Sequence, residues 1–193
     1  MIRIINLFFI IFFLLSSKAY SLIEIDITRG NLDPLPIAVS PLFQDDNSKR
    51  NSINELKIEN VGSEISLVVE NNLKISGLFN PLSKEAFLQK PDIAHLKPRF
   101  EDWALIKAQA LITGKVTIED KKLKVEFRLW DILAGREMMA LAFTTVPSNW
   151  RRVGHIISDK VYERLTGEKG YFDTRIIYAV SYTHLTLPTT KNV

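Results

Sequence analysis

Along residues 22–30, LIEIDITRG, apolar and polar side chains alternate without a break. Ile23, Ile25 and Ile27 share one face of an extended chain, and Glu24, Asp26 and Thr28 share the other. Period-two alternation built on β-branched residues predicts a half-buried strand. After the turn sequence NLDP, LPIAVSPL (residues 35–42) reads as a short buried strand between prolines, and FQDDNSKRNS (residues 43–52) reads as a polar loop. The period then changes. Ile65, Val68, Val69 and Leu73 fall at helical spacing within residues 61–76, and Gly77 is placed to end the helix.

Residues 77–103 are broken by Pro81, Pro91 and Pro98 and leave room for two single-turn helices. ALITGKVTIE opens a run of strands, followed by LKVEFRLWD and EMMALAFTTV across two short turns, an antiparallel meander. Past Pro147, with Ser148 or Asn149 as cap, Trp150, Val153, Ile157, Val161 and Leu165 form one stripe of a helix over residues 150–165, closed by Gly167. TRIIYAV reads as a last strand. This order predicts an α/β fold: a two-layer sandwich, a mixed sheet with an antiparallel meander and two main helices on one face. The last stretch, SYTHLTLPTTKNV (residues 181–193), has no period, and Pro188 interrupts any strand. It reads as translated linker sequence at the end of a truncated reading frame, or as a disordered tail.

The residues before the first strand alter the picture of charge. Arg3, the unbroken apolar run LFFIIFFLL (residues 7–15) and the small residues of SSKAYS have the layout of a secretory signal peptide. The run is short for a bilayer span, although an uncleaved anchor is the alternative. Two triplets offer cleavage, one ending at Ala19 and one at Ser21, and no Cys stands near them for lipid attachment. Residues 1–21 hold Arg3 and Lys18 and no acid, so their removal takes the net charge from +3 to +1. The chain that remains offers no basic stripe for nucleic acid. It has no cysteine, hence no disulfide framework, and no second apolar stretch of spanning length.

Candidate chemistry is sparse. The histidines stand at 95, 155 and 184, and none has a second ligand at metal spacing. His155 and Asp159 lie four apart on the second helix, opposite its apolar stripe on a helical wheel. Such a pair can orient an imidazole for base chemistry; it serves equally as a solvated pair or a contact to a neighbouring domain. Gly30, Gly62, Gly77 and Gly114 make no phosphate loop. Trp150-Arg151-Arg152 is read as a helix start with solvent-facing arginines rather than a nucleic-acid contact. No catalytic, cofactor or metal site is assigned.

One long run is more specific. WRRVGHIISDKVYERLTGEKGYFDTRIIYAV (residues 150–180) resembles the junction region of the TolB family, the periplasmic component of the Tol-Pal envelope system. Gly154-His155, Ser158-Asp159, Tyr162-Glu163, Leu165-Thr166-Gly167, Lys169-Gly170, Phe172 and Thr174-Arg175-Ile176 carry the likeness. It extends back through DITRG, PIAVSPL, SGLFNPL, ALITGKV and EFRLWD, and so covers residues 22–180. The family continues into a six-bladed propeller with blades of about 40 residues, a repeat this sequence does not contain. The resemblance therefore implies an N-terminal α/β domain at residues 22–180, between a signal peptide (1–21) and the odd tail (181–193).

The resemblance implies a non-enzymatic interaction module that acts in envelope integrity, outer-membrane constriction during division, and bacteriocin import. The mature N-terminus would engage the C-terminal domain of TolA, here through Leu22, Ile23, Glu24, Ile25, Asp26, Ile27, Thr28, Arg29 and Gly30. Pal would be met only through the missing propeller. The alternatives are that the strand completes the domain's own sheet, or that the chain is a small periplasmic enzyme or ligand-binding domain centred on His155 and Asp159. Cleavage is expected between Ser21 and Leu22, because Ala19 and Ser21 put small residues where the peptidase reads them. N-terminal sequencing of exported protein should begin at Leu22; a start at Tyr20 moves the site, and retention of residues 1–21 refutes cleavage.

Overall fold

The computed structural model describes residues 33–174. The signal region, the alternating segment 22–30, residues 175–180 of the last predicted strand and the tail 181–193 lie outside the described residues. Thirteen elements can be followed, and the two strongest periodic helices fall where the sequence puts them. The strands are β1 (Leu35–Val39), β2 (Phe43–Gln44), β3 (Phe79–Pro81), β4 (Ala110–Glu119), β5 (Lys122–Asp131) and β6 (Arg136–Thr145). The helices are α1 (Asp46–Leu56), α2 (Val61–Ile75), α3 (Pro91–Ala94), α4 (Phe100–Leu105) and α5 (Trp150–Thr166), with single 3₁₀ turns at Lys84–Ala86 and Pro147–Asn149.

The strands form one mixed sheet in the order β3-β1-β4-β5-β6. β4, β5 and β6 are the antiparallel meander, whereas β1 lies parallel to β3 and β4. Strand alternation sorts the sheet into two faces. Ile37, Val39, Ala110, Ile112, Val116, Val125, Phe127 and Leu129 point to the first face, where Ile65, Val69 and Leu73 of α2 and Val153, Ile157, Val161 and Leu165 of α5 cover them. Ala38, Leu111 and Trp130 point to the second face and meet Ala94, Trp103 and Ala108 around α3 and α4. The short helices thus cover one end of the second face. The predicted two-layer sandwich holds, with this partial third layer added.

α1 and β2 occupy the segment expected to be a loop. The expectation failed because α1 has no apolar stripe: its buried residues are Ser48 and Ser52. It forms because Asp45 caps it, accepting from the Ser48 backbone N–H at 2.7 Å, and it docks through polar side chains. The Ser48 hydroxyl accepts from Ile118 N–H at 3.2 Å, and the Asn51 amide donates to Ile118 C=O at 2.7 Å. Those two side chains supply what a neighbouring strand would supply to the end of β4. β3 was also missed. A three-residue parallel strand ending in Pro81 carries too short a pattern to be seen.

β1 and β2 pair along the same edge of β4 with one extra residue between them: Val39 sits opposite Ile112, and Phe43 opposite Lys115. This bulge at Ser40, Pro41 and Leu42 frees backbone groups, and Ser66 of α2 takes them up. Its hydroxyl accepts from Leu42 N–H at 2.9 Å and lies 3.1 Å from Ser40 C=O. The helix can come this close because Gly62 has no side chain; a Cβ there would stand 2.2 Å from the Leu42 carbonyl oxygen. Gln44 adds a bond, its Oε1 accepting from Gly62 N–H at 3.2 Å.

Val161 is fully buried at the centre of α5's contact with the sheet. Val161→Asp should strand an unpaired charge there and cost at least about 3 kcal/mol, a large part of a domain's stability. Gly62→Ala should cost about 1–3 kcal/mol through overpacking against backbone. Thermal and urea melts check both; a wild-type melt for Val161→Asp would mean that α5 presents a different face.

Candidate functional site

The partner-binding segment expected from the sequence, Leu22 to Gly30, lies outside the described residues. His155 and Asp159 are both described, and the structure gives each a separate task. α5 packs on α2 as well as on the sheet, with Gly154 at the crossing; a Cβ there would stand 2.8 Å from Val68 Cγ1. Next to this contact the Asn72 amide of α2 donates to Ser158 Oγ at 2.9 Å and faces His155 Nδ1 at 2.9 Å. The Ser158 hydroxyl in turn donates to Gly154 C=O at 2.8 Å. Nδ1 is the acceptor in this arrangement, which puts the ring proton on Nε2. His155 is therefore half-buried between helices rather than free in solvent. The helical wheel assumed one contact face for α5, and it has two.

Asp159 turns the other way. Its Oδ1 accepts from Phe172 N–H at 2.7 Å and its Oδ2 from Asp173 N–H at 3.1 Å. The chain after α5 is folded back so tightly that a Cβ on Gly170 would meet Asp159 Cα at 2.4 Å. Arg152 closes the loop with a bidentate pair to Asp173 at 3.1–3.2 Å, which raises the guanidinium pKa further. Tyr171 and Phe172 are thereby set edge-on to Tyr162, with ring centroids 5.5 and 5.9 Å away. Burial holds the Tyr162 phenol above its ordinary range. His155 and Asp159 share no partner, and a catalytic centre on that pair has no geometry to stand on. Trp150 carries Arg151 over its ring at 5.0 Å, so only one of the two arginines after it is spent on packing of this kind.

The open part of the second face is the surface that sequence reasoning missed. His95, Leu96, Lys115, Glu126, Arg128, Ala140 and Ala142 line a shallow groove of about 510 Å³. The His95 ring stacks on Phe43 at 4.5 Å and its Nδ1 donates to Pro91 C=O at 3.0 Å. The charges have partners already: Lys115 with Asp45 at 3.9 Å, Lys124 with Glu126 at 2.7 Å, and Arg128 with Glu137 at 3.6 Å. Small residues at 140 and 142 on the period-two pattern were the available signal, since they leave a strand face bare. The groove assembles no nucleophile with a base. Among the described residues no group of three His, Cys, Asp or Glu side chains is placed to hold a metal ion.

The Asp159 clasp generates a prediction. Asp159→Ala leaves two backbone N–H groups without their acceptor, a loss of about 1–3 kcal/mol, and should speed amide exchange at Phe172 and Asp173 while leaving β4 protected. His155→Ala removes one half-buried bond and should cost about 1 kcal/mol rather than nothing. Native-state hydrogen exchange and melts measure these, and unchanged exchange at 172 and 173 would dismiss the clasp.

The profile of the family described as TolB amino-terminal domain matches residues 23–138. The Tol-Pal system protein TolB of Pelagibacter ubique (strain HTCC1062) is 76% identical over 170 residues, covering 88% of this chain and 38% of that protein. The chain thus spans well under half the length of this curated relative. The crystal structure of TolB from Acinetobacter baumannii superposes with a TM-score of 0.58 at 21% identity, covering 79% of this chain and 33% of that one, a likeness of fold. The bulge, the two glycine crossings and the meander described above are accordingly those of a chain that belongs to the TolB amino-terminal domain family.

Proposed function

We propose that the chain is an interaction module of a Tol-Pal system, working in the periplasm by protein contact and without turnover. One observation carries this: the 76% identity, across 88% of the chain, to a protein named as a Tol-Pal component. The fate of the polar side chains supports it. Asn72, His155, Ser158 and Asp159, the groups best suited to chemistry, are taken up in fastening α5 to α2 and to the turn after it. Among the described residues no helix is long and apolar enough to cross a membrane.

Residues 22–30 are the segment we assign to TolA. A strand at the terminus of an exported chain can offer its N–H and C=O groups to the edge of a partner's sheet, with Ile23, Ile25 and Ile27 filling pockets on one side. Pal, in this reading, is met by the propeller of the longer family members and not by residues 22–180. The roles in envelope integrity, division and bacteriocin import follow from membership of that system.

A variant lacking residues 22–30 should keep its far-ultraviolet circular dichroism and lose binding to the TolA C-terminal domain. Unchanged binding, or collapse of the fold, would place the contact elsewhere. Specific capture of Pal by residues 22–180 would overturn the division of labour.

A further inference from the structure

The two edges of the sheet are protected unequally. β3 is three residues long and ends on Pro81, which has no N–H to offer. β6 runs for ten residues at the opposite edge and, among the described residues, pairs only with β5. One device blunts its start. Leu129 lies opposite Met139 and Trp130 opposite Glu137, so Met138 is an extra residue, a bulge. The Met138 carbonyl accepts from Arg164 Nε of α5 at 3.4 Å. Beyond the bulge, MALAFTT (residues 139–145) runs regularly against β5 with no charge and no proline. Such an edge is a template for another strand.

The apolar layer on the first face stops short along this stretch. Leu129, Phe127 and Val125 of β5 are buried, whereas their ladder partners Met139, Leu141 and Phe143 are not, and Leu141 is 37% exposed. On the second face stand Ala140, Ala142 and Thr144, all small and all exposed.

We propose that this edge pairs with the same edge of a second copy, antiparallel, about a two-fold axis through Ala142 normal to the sheet. Such a contact is isologous, so one stretch has to complement itself. With the axis at Ala142, Leu141 of each copy lies opposite Phe143 of the other, Met139 opposite Thr145, and Ala140 opposite Thr144. Rotation about the sheet normal keeps equivalent faces together. The two Leu141–Phe143 pairs therefore close the row left open on the first face, where aromatic–aliphatic pairs across strands are favourable. On the second face only small side chains meet. Arg136 and Glu137 fall outside the ladder at both ends, so no like charges are opposed. With a net charge of +1 once residues 1–21 are removed, the copies scarcely repel one another.

Every position of the ladder thus finds its complement within the stretch itself, which singles out a second copy as the occupant. Seven residues at about 3.4 Å each give a seam of about 24 Å. A seam of that length buries less than the roughly 800 Å² per partner of a standard interface. The dimer is accordingly a weak one, with a dissociation constant above roughly 1 μM. It lies wholly within the described residues and does not depend on the assignment to TolA.

Sedimentation of the exported chain over a range of concentrations tests this. Its mass should rise from monomer towards dimer as the concentration approaches roughly 1 mM. Ala142→Lys and Ala142→Glu each set like charges opposite one another on the axis and should give monomers. An equal mixture of the two should associate several-fold more tightly than either alone. Ala142 is exposed, so neither change removes a core contact. Because the chain has no cysteine, Ala142→Cys gives a second reading. It should close an intermolecular disulfide on mild oxidation at concentrations where Glu55→Cys, exposed on α1, stays monomeric. A constant monomer mass, association indifferent to charge at 142, or cross-linking of Glu55→Cys as fast as that of Ala142→Cys would overturn the proposal. Indifference to charge would place the contact on another surface of the chain.

Discussion

β4 is the strand that the rest of the molecule has to satisfy. Its residues Ala110, Leu111, Ile112, Thr113 and Val116 are all at most 1% exposed, so both faces are shut and every backbone group needs a partner within the protein. On one edge β5 supplies ten successive pairs. On the other edge no single strand is available. β1 serves the first part, the bulge at Ser40–Leu42 interrupts, β2 serves the middle, and the Ser48 and Asn51 side chains of α1 serve Ile118. This patchwork explains why a helix made almost wholly of polar residues exists at all. α1 finishes a hydrogen-bond ladder through Ser48 and Asn51, and Ser48 is as buried as the leucines of the core.

The layers above β4 depend on close approach of backbones. Gly62 lets α2 come down on the bulge and Gly154 lets α5 come down on α2. The apolar stripes provide the driving force, as burial of this kind does in any small domain. The glycines set where that force brings the helices to rest. Asn72 then occupies the seam between α2 and α5, and its two amide hydrogens are matched by His155 and Ser158. A polar group in such a seam favours one alignment of the helices over neighbouring ones.

What was legible in the sequence follows from this. β4, β5, α2 and α5 bury apolar residues at the period of their own backbone, and β6 carries half-buried Met139 and Phe143 at period two, so their patterns stand out over ten to seventeen residues. α1 was invisible because it docks largely by hydrogen bonds, with Leu56 packed on the core, and hydrogen bonding leaves no periodic trace in hydropathy. β2 and β3 were too short to show a period, and α3 and α4 were legible only as prolines around single turns. His155 and Asp159 stand out in the sequence as a polar pair, open to base chemistry, to solvent or to a neighbouring domain; the structure gives them bonds within their own domain. Those bonds were not legible, because they depend on α2 and on the turn at 170–173, both distant in sequence or past the end of the helix.

The Asp159 clasp has a mechanical consequence. A chain that leaves a helix freely peels from its last turn when pulled, one bond at a time. Here the backbone at 172 and 173 is tied to a side chain almost two helical turns back, and Arg152, a further two turns back, holds Asp173. A tug at residue 174 is thus shared by several bonds along α5 instead of fraying its last turn first.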